Sequence, residues 1–549
     1  RSTAPPWQTS PWPAPLLAQK QFNELPEKLQ LHIFSYVPHK KLVEIARVCK
    51  KWRLLAYNNV LWSRVSLRPE FSKLYVSNVE MLIHLIGTRF ANMLRLLAYN
   101  NVLWSRVSLR PEFSKLYVSN VEMLIHLIGT RFANMLRYIE LPCDIITAPV
   151  LHELAGKCPN LRHLTLDFAS AMQLHDFNDL NAFPCNLKSL CICLSEVIFM
   201  EGFMRKVYQS LSSLEVLHLI GTFELGDEEQ EEIYEVINIS KIKTHTPNLR
   251  VVNLYGISFV DDSHIELLSS NCIHLESLAL NFCLRVKGST MKILIHRCKK
   301  LRALLLQHCG LEDQYMMAAD WEQSRIHELD LTSTELSQQC LADILLRMPG
   351  FTWLALGYCE FFDDRIMDDL TKKGKLNHLR ALDISHTVSL TENAIYNFIK
   401  LHGRHLEGLM VAGKPKLLEQ FFLNIIPYVK NIKILVGGTA DGWFLKMTSK
   451  VHIDQIVISL SHNSSALERL ELQWDPDTIR YSENSSKFID LLRLRCPRIR
   501  SVTLSDGEYY EMVKSNFERA DRKTVVRATT NYKTSIVSLL HYYKDLQFN

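Results

Sequence analysis

The chain has 549 residues, 47% hydrophobic and 22% charged, so it can bury a sizeable core and is too apolar to be disordered throughout. Its 63 basic and 58 acidic residues leave a net charge of +5, too small an excess to indicate nucleic acid or a membrane surface as the main partner. Thirteen cysteines scattered along a chain without a secretory signal indicate free thiols in a reducing compartment, the cytoplasm or the nucleus.

Residues 1–20 are rich in proline and predict an extended, flexible segment. The chain begins with Arg, so a targeting signal ahead of it would not be visible. No apolar run is long enough and free enough of polar residues to cross a bilayer, so no membrane partner is expected.

Residues 22–67 predict three short amphipathic helices, the first opened by a Leu-Pro pair. The apolar, turn and tryptophan positions of this segment are Leu25, Pro26, Leu29, Ile33, Phe34, Val48, Cys49, Trp52 and Trp62. Because so small a unit cannot bury all of these large side chains within itself, we expect another surface to cover them.

The Leu-Pro pair, the Cys-x-x-Trp at residues 49–52 and the Leu-Trp at residues 61–62 occur in the order of an F-box, which this segment resembles nearly end to end. In that family the segment interleaves with a Skp adaptor, which in turn binds cullin and RING subunits. The resemblance implies that the positions named above lie in or beside an adaptor interface. The alternative is a small helical cap on a repeat array.

Residues 53–94 recur without a single change as residues 95–136, an exact 42-residue tandem duplication. Structural repeats diverge because only their core positions are constrained, so this identity indicates a very recent exon duplication or an error in the assembled gene. The second copy lacks the Leu-Pro helix and cannot form a second adaptor site. We assign residues 68–135 to a linker that contains this spacer.

From residue 136 to residue 506 the pattern L-x-x-L-x-L recurs every 25 to 35 residues, each time followed by a stretch with helical spacing. The first apolar position of each unit falls at Leu136, Leu161, Leu187, Leu214, Leu249, Leu275, Leu301, Ile326, Phe351, Leu379, Leu406, Ile432, Leu467 and Ile499. No unit could bury its apolar face alone. The pattern therefore predicts an α/β fold, a curved leucine-rich-repeat solenoid of about 14 units with parallel strands on its concave face and helices outside.

Cysteines recur at fixed places in these units, either three residues before or eight residues after the first apolar position. They are Cys158, Cys272, Cys298 and Cys496 in the first group, and Cys283, Cys309 and Cys359 in the second. This placement resembles the cysteine-containing repeats of many F-box proteins and predicts buried thiols that satisfy loop backbone. A zinc site is the alternative, although no C-x-x-C pair occurs.

Residues two and four positions after each first apolar position are expected to point onto the concave face, where a protein target would bind. The candidate target-binding residues, some one step farther along their strands, are Val216, Val251, Tyr255, Leu305, Trp353 and Met410. Flanking charge comes from His163, His218, Glu328, Asp330, Asp383, Arg469 and Glu471. Alternatively, loops or the C-terminal residues 507–549, which leave the pattern and could cap the array, cover this face.

Two longer units carry insertions. The acidic run of residues 224–235 is interpreted as a solvated helix face, or else as a surface that attracts a basic degron. The glycines of residues 437–443 lack the G-K-[ST] ending of a phosphate-binding loop.

No nucleophile beside a base, metal cluster or cofactor loop has usable spacing, so we predict a non-catalytic protein without a cofactor. The F-box resemblance implies a substrate-recognition subunit of an SCF-type cullin-RING ubiquitin ligase. Its repeats would hold an unidentified protein target close to the ubiquitin donor, for ubiquitination and usually degradation. The alternatives are a leucine-rich-repeat scaffold without a ubiquitin role, and a receptor whose duplication holds the target at the wrong distance.

Overall fold

The computed structural model describes residues 25–37, 42, 45–56, 106–108, 121–129, 133–168, 177–194, 201–221, 238–439, 450–518 and 524–528. The chain divides into two compact units, residues 1–65 and residues 66–549. No helix in the described ranges is both long and apolar enough to cross a membrane. The proline-rich start, Trp62, the acidic run of residues 224–235, residues 440–443 and the last 21 residues, 529–549, lie outside the described residues.

The first unit contributes helices α1 and α2, and the second contributes the remaining elements. The α-helices are α1 Glu27–Phe34, α2 Lys50–Ala56, α3 Val121–Leu127, α4 Ala148–Lys157, α5 Glu201–Tyr208, α6 Ile239–His245, α7 Asp262–Ser269, α8 Met291–Arg297, α9 Asp313–Met317, α10 Gln338–Arg347, α11 Asp364–Lys372, α12 Glu392–His402, α13 Glu419–Ile425, α14 Ile453–Asn463, α15 Ser485–Arg495 and α16 Glu508–Phe517. Short 3-10 helices lie at Ala133–Met135, Cys143–Ile145, Trp321–Gln323, Gly403–His405 and Ile426–Tyr428.

The strands alternate with these helices along the second unit. They are β1 Arg106–Ser108, β2 Tyr138–Pro142, β3 His163–Asp167, β4 Ser189–Cys193, β5 Val216–Ile220, β6 Val251–Asn253, β7 Ser277–Ala279, β8 Ala303–Leu305, β9 Glu328–Asp330, β10 Trp353–Ala355, β11 Ala381–Asp383, β12 Gly408–Met410, β13 Ile434–Gly438, β14 Val451–His452, β15 Arg469–Gln473, β16 Ile479–Arg480, β17 Ser501–Leu504 and β18 Val525–Ala528.

Sixteen of these strands form one parallel sheet in chain order, from β1 to β13 and then β15, β17 and β18, while β14 and β16 form a separate parallel pair. Because every connection between neighbouring parallel strands has to return to the same end of the sheet, the intervening helices can lie on one side of it. The predicted fold class, an α/β solenoid of leucine-rich repeats, is confirmed.

The register of the repeats follows the predicted pattern, since each predicted first apolar position lies two residues before a strand. The sheet extends beyond the predicted limits at both ends. It starts with β1, within the segment assigned to a linker, and β1 pairs in parallel with β2. At the other end, α16 and β18 continue the array into the predicted tail, and β18 pairs with β17.

Alternation along each strand divides the side chains between two faces. In the unit that contains β8, Leu301, Leu304 and Leu306 enter one continuous apolar core that runs from Leu124 to Ala528. Ala303 and Leu305 are absent from that core and lie on the opposite face. We call this opposite face, made of residues two, four and six positions after each first apolar position, the helix-free face, because none of the described helices contributes to its apolar cluster.

Aspartates at helix starts join neighbouring units. The Asp262 carboxylate of α7 accepts the backbone N–H groups of Lys287 and Gly288 in the next unit at 2.7 and 3.0 Å. Asp364 of α11 likewise accepts the Thr391 N–H and hydroxyl, both at 2.7 Å. These bonds link the helix start of one unit to the loop of the next, so consecutive units are held in one register.

The repeated cysteines bond to the backbone of the preceding unit. The Cys283 thiol donates to the Leu254 carbonyl at 3.1 Å, and the Cys309 thiol donates to the Leu280 carbonyl at 3.1 Å. All thirteen cysteines are free thiols. In the described part of the chain, no group of His, Cys, Asp and Glu has the arrangement that a metal ion needs.

A left-handed residue follows the strand in most central units. The non-glycine residues with positive φ at this place are Phe282, His308, Ser333, Tyr358 and His386, and Gly256 and Gly413 take the same place in other units. Their φ angles let the chain turn sharply from the strand toward the helix side.

Candidate functional site

Local hydrogen bonds fix the helix pair of the first unit. Pro26 precedes α1, where its missing N–H costs nothing, and the buried Gln30 amide donates to the Leu25 carbonyl at 2.7 Å. Cys49 precedes α2, and its sulfur accepts the Trp52 N–H at 3.4 Å. The Leu-Pro and Cys-x-x-Trp positions of the sequence therefore act as helix starts.

The described residues of this unit contain a small apolar core. Phe34, Leu42 and Leu55 are buried, and the Phe34 and Trp52 rings meet edge to face with their centroids 6.0 Å apart. Phe34 was predicted in or beside the adaptor interface, but its side chain is only 3% exposed and packs within the unit. Its structural contribution is therefore to hold α1 against α2.

Large aliphatic side chains remain on the outside of the same helix pair. Leu29 is 50% exposed, Ile33 43%, Val48 63% and Leu54 74%. Leu29 and Ile33 are four residues apart and lie one above the other on α1. We call these four residues the apolar surface of the first unit, and such a concentration of exposed aliphatic side chains is typical of a binding surface.

The other predicted adaptor-binding residues differ in exposure. Pro26 and Cys49 are exposed, Leu25 and Trp52 are half-buried, and Trp62 lies outside the described residues. Sequence reasoning left Leu54 out of the interface, although its place on α2 next to the predicted residues could have indicated it.

The helix-free face of the sheet carries a second, smaller apolar cluster. Its members come from five neighbouring strands and the turns that follow them, and no helix residue of the described chain joins it. They are Cys191, Cys193, Ile220, Tyr255, Ala279 and Leu305, with Phe282 and Trp353 packed against them. This cluster is a separate apolar surface on the face predicted to bind the target.

The structure places all six predicted target-binding residues on this face, but with less exposure than expected. Val216, Val251, Trp353 and Met410 are half-buried. Tyr255 and Leu305 are 5% and 3% exposed because they pack sideways against neighbours on adjacent strands. Sequence reasoning missed Ile220 and Cys191, which strand alternation could have identified.

Alternating charges run along the start of the strands. Lys188 pairs with Glu215 at 2.7 Å, and Arg250 bridges Glu215 and Glu276 at 3.5 and 2.7 Å. The line continues through Arg302, 3.8 Å from Glu276 and 3.1 Å from Glu328. We call these six residues the charge ladder.

Hydrogen bonds within the charge ladder shift the acidic groups. The bond from Lys188 lowers the pKa of Glu215, and the bond from Arg250 lowers the pKa of Glu276. A shallow cleft runs between these side chains, lined also by Asn248, His274 and Lys300. The three basic and three acidic residues of the charge ladder neutralise one another, so their pairing stabilises the array, and Lys300 adds one further positive charge to the cleft.

Residues 22–68 match the F-box-like family. The chain is similar to the F-box/LRR-repeat protein 12 of Bos taurus, with 23% identity over 169 residues, which are 31% of this chain and 39% of that protein. With the Homo sapiens protein of the same name it shares 35% identity over 71 residues, 13% of this chain and 20% of that protein. The alignments thus span less than half the length of these relatives. Among solved structures, the yeast Rad7 and Elc1 complex aligns with 78% of this chain and 92% of that chain, at 15% identity and a TM-score of 0.30.

Proposed function

We propose that this protein is the non-catalytic substrate receptor of an SCF-type cullin-RING ubiquitin ligase. The F-box-like residues 22–67 bind a Skp adaptor, which brings the cullin and RING subunits, and the solenoid binds the protein to be ubiquitinated. The observation that carries the proposal is the apolar surface of the first unit, made of Leu29, Ile33, Val48 and Leu54, within a segment that matches the F-box-like family.

The energetics of that surface favour a permanent partner. Burying a large aliphatic side chain that is half exposed contributes about 1 kcal/mol, so four such residues supply a substantial part of a stable interface. Within the described residues of the unit, the buried apolar side chains are Phe34, Leu42, Ala46, Leu55 and Ala56, and they leave these four exposed. An adaptor that covers them would complete the core.

The helix-free face is the target-binding surface in this proposal. A target held there, on the same chain as the adaptor-binding unit, meets the ubiquitin donor at a high effective concentration. The bond-forming chemistry belongs to other subunits, and neither a metal nor a cofactor is required of this chain. The thirteen free thiols fit a cytoplasmic or nuclear location.

Thiol footprinting with a purified Skp adaptor tests the adaptor site directly. Cys49 is exposed beside the apolar surface of the first unit, whereas Cys185 is exposed in the second unit and serves as an internal control. We expect the adaptor to slow alkylation of Cys49 by iodoacetamide and to leave Cys185 unchanged. Equal alkylation rates of Cys49 with and without a saturating adaptor would contradict the proposal.

A paired substitution gives an independent readout. Leu29→Ser with Ile33→Ser should weaken adaptor binding by about 30-fold or more, since both side chains would leave a desolvated interface. The matched control is Leu401→Ser with Leu494→Ser, which changes two equally exposed leucines on solenoid helices, 66% and 64% exposed. If both double variants bound the adaptor as the wild type does, the apolar surface would not be the docking site.

A further inference from the structure

Two aspartates of the helix-free face flank one alanine. Asp330 ends β9, Asp383 ends β11, and both pair in register with Ala355 of β10 between them. Their carboxylates therefore lie in one row, two strand spacings or roughly 10 Å apart, with only a methyl group between them.

The two aspartates differ in exposure, since Asp383 is half-buried and Asp330 is almost fully buried. Asp330 is 6% exposed, and among the ion pairs of the described residues neither Asp330 nor Asp383 takes part. Burial raises the pKa of Asp330 to about 6 and also raises the pKa of Asp383. Glu328 in the same strand differs, because Arg302 pairs with it at 3.1 Å.

The local turn does not require a negative charge at these places. Asp330 accepts the Thr332 N–H and Asp383 accepts the Ser385 N–H, each at 2.9 Å. In β6 the equivalent residue is Asn253, whose side-chain oxygen accepts the Tyr255 N–H at 3.1 Å. A neutral amide therefore forms the same turn, and the charge at Asp330 and Asp383 needs another explanation.

A serine hydroxyl and an indole ring lie near the two aspartates. Ser385 is 8% exposed, and its hydroxyl forms no well-aligned hydrogen bond with any described residue. Trp353 of β10 is half-buried. In register with it, β11 has Ala381 and β12 has Gly408. Small residues therefore stand on the β11 side of Trp353 and, at Ala355, between the two aspartates, while Glu328 stands on the β9 side of Trp353.

We propose that these residues, Asp330, Trp353, Ala355, Asp383 and Ser385, form an acidic notch that binds an arginine side chain of the target protein. This inference rests on the proposed role of the solenoid as the target-binding part. A guanidinium presents several N–H donors in one plane, so it bonds to two carboxylates at once and stacks on an indole, whereas an ammonium is a compact point charge.

A target residue two or three positions from that arginine is expected to be apolar, because Leu305 lies two strand spacings, or roughly 10 Å, from Ala355 at the centre of the acidic notch. Leu305 of β8 pairs in register with Asp330 and belongs to the apolar cluster of the helix-free face. A bulky aliphatic or aromatic side chain would contact that cluster while the arginine enters the acidic notch. The preferred target segment therefore combines one arginine with a large apolar residue two or three positions away.

The test uses the full chain and immobilised degenerate peptides that share a central arginine, lysine or citrulline. Citrulline has nearly the shape of arginine without its charge. The test variant is Asp330→Asn with Asp383→Asn, which keeps the turn acceptors. The control variant is Asp368→Asn with Asp369→Asn, which removes the same charge from the helix α11.

We expect the wild type to prefer the arginine pool over the citrulline pool by about 30-fold, because citrulline would leave the two aspartates without a positively charged partner. The preference should disappear in the test variant and persist in the control variant. Equal retention on the arginine and citrulline pools, retention on neither, an equal response to lysine, or a preference that survives in the test variant would each overturn the proposal. Adaptor binding is measured on the same samples, so failure of the adaptor site and failure of the acidic notch are read separately.

Discussion

The ring of Tyr358 lies flat against the imidazole of His386, with 4.1 Å between the ring centroids and 8° between their planes. The two residues occupy the same left-handed position in consecutive repeat units, each with φ near 57°. Gly413 holds that position in the next unit, with φ of 70°, and the His386 ring covers it. The side chains at this turn position therefore form a stack in which Tyr358 packs on His386 and His386 packs on Gly413.

Gly413→Ala should destabilise the solenoid by about 2 kcal/mol or more, because an added Cβ would lie 2.0 Å from the His386 Nδ1 and would require a left-handed alanine. Urea unfolding followed by circular dichroism measures the change. The control is Gly156→Ala in α4, where a Cβ meets nothing within 4 Å, and which should be neutral or stabilising. In a His386→Ala background the cost of Gly413→Ala should fall, and an unchanged cost would show that the ring is not responsible.

Native alkylation should distinguish two classes of cysteine. Cys49 and Cys185 are exposed and should react rapidly with iodoacetamide, while the other cysteines are buried and should react only after unfolding. Burial raises the pKa of Cys283 and of Cys272 to about 12, so these thiols stay protonated and unreactive near pH 8. Mass spectrometry of the alkylated protein counts the sites. Rapid modification of Cys283 in the folded chain would contradict the burial described above.

The charge ladder should contribute to stability at low salt only. Arg250→Gln removes the residue between Glu215 and Glu276 and should cost at most about 1 kcal/mol, since these side chains are partly exposed, and the cost should nearly vanish in about 1 M salt. Arg365→Gln is the control, because the described structure gives this exposed arginine of α11 no ion pair. A salt-independent cost of Arg250→Gln would indicate packing rather than charge.

The same ladder gives an acid dependence with a definite sign. Arg250 lowers the pKa of Glu276 below its usual 4.5, so the folded state holds the charged form more firmly than the unfolded chain does. This contribution is fully present at neutral pH and is lost as the pH falls below about 4.5. Arg250→Gln should therefore show its largest destabilisation near neutral pH and little near pH 3.

Asp330→Asn should have the opposite pH dependence. The pKa of Asp330 is raised from 3.8 to about 6 in the folded chain, so the wild type loses stability as the pH rises from about 4 to about 6. The variant keeps the turn acceptor without the buried charge and should be more stable by about 2 kcal/mol at pH 7.5, with no difference near pH 3.5. Asp383 and Glu328 lie on the same face as Asp330. Both are unchanged in the variant, so the comparison with the wild type reports on the charge of Asp330 alone. Equal stability of both proteins at pH 7.5 would show that the charge is adequately solvated.

The sequence predicted the strand register well because leucine spacing is a local signal. Every L-x-x-L-x-L position from Leu136 to Ile499 is followed by a strand two residues later. The ends of the sheet were not predicted. Trp104, Val107 and Leu109 have the apolar spacing of a repeat unit but were assigned to the linker, whereas β18 has Lys523 in place of a first apolar residue. Both strands are recognised through pairing with β2 and β17. A strand at the edge of a sheet is specified by its neighbour as much as by its own residues.

For the candidate sites, the sequence predicted which face of the sheet a side chain lies on, but not how exposed that side chain is. Strand alternation correctly separates Leu305 from the core leucines, yet it cannot show that Leu305 is buried by residues from other units. Likewise, Ile33 and Phe34 are consecutive apolar residues of α1, and the sequence does not show which of them faces inward. The contact with Trp52 shows that it is Phe34. Packing between neighbouring strands depends on residues about 25 positions apart, and the periodicity within one unit contains no information about such pairs.

The parallel register also sets a grid for any extended peptide that crosses the strands. Strands repeat every 4.8 Å or so, while side chains on one side of a peptide repeat every 6.7 Å or so, and the two coincide only about every 14 Å. A crossing segment would thus meet the sheet in phase at every third strand, for example at β5, β8 and β11. His218, Leu305 and Asp383 come from three separate units, so each contact with such a segment can change by substitution without disturbing the other two.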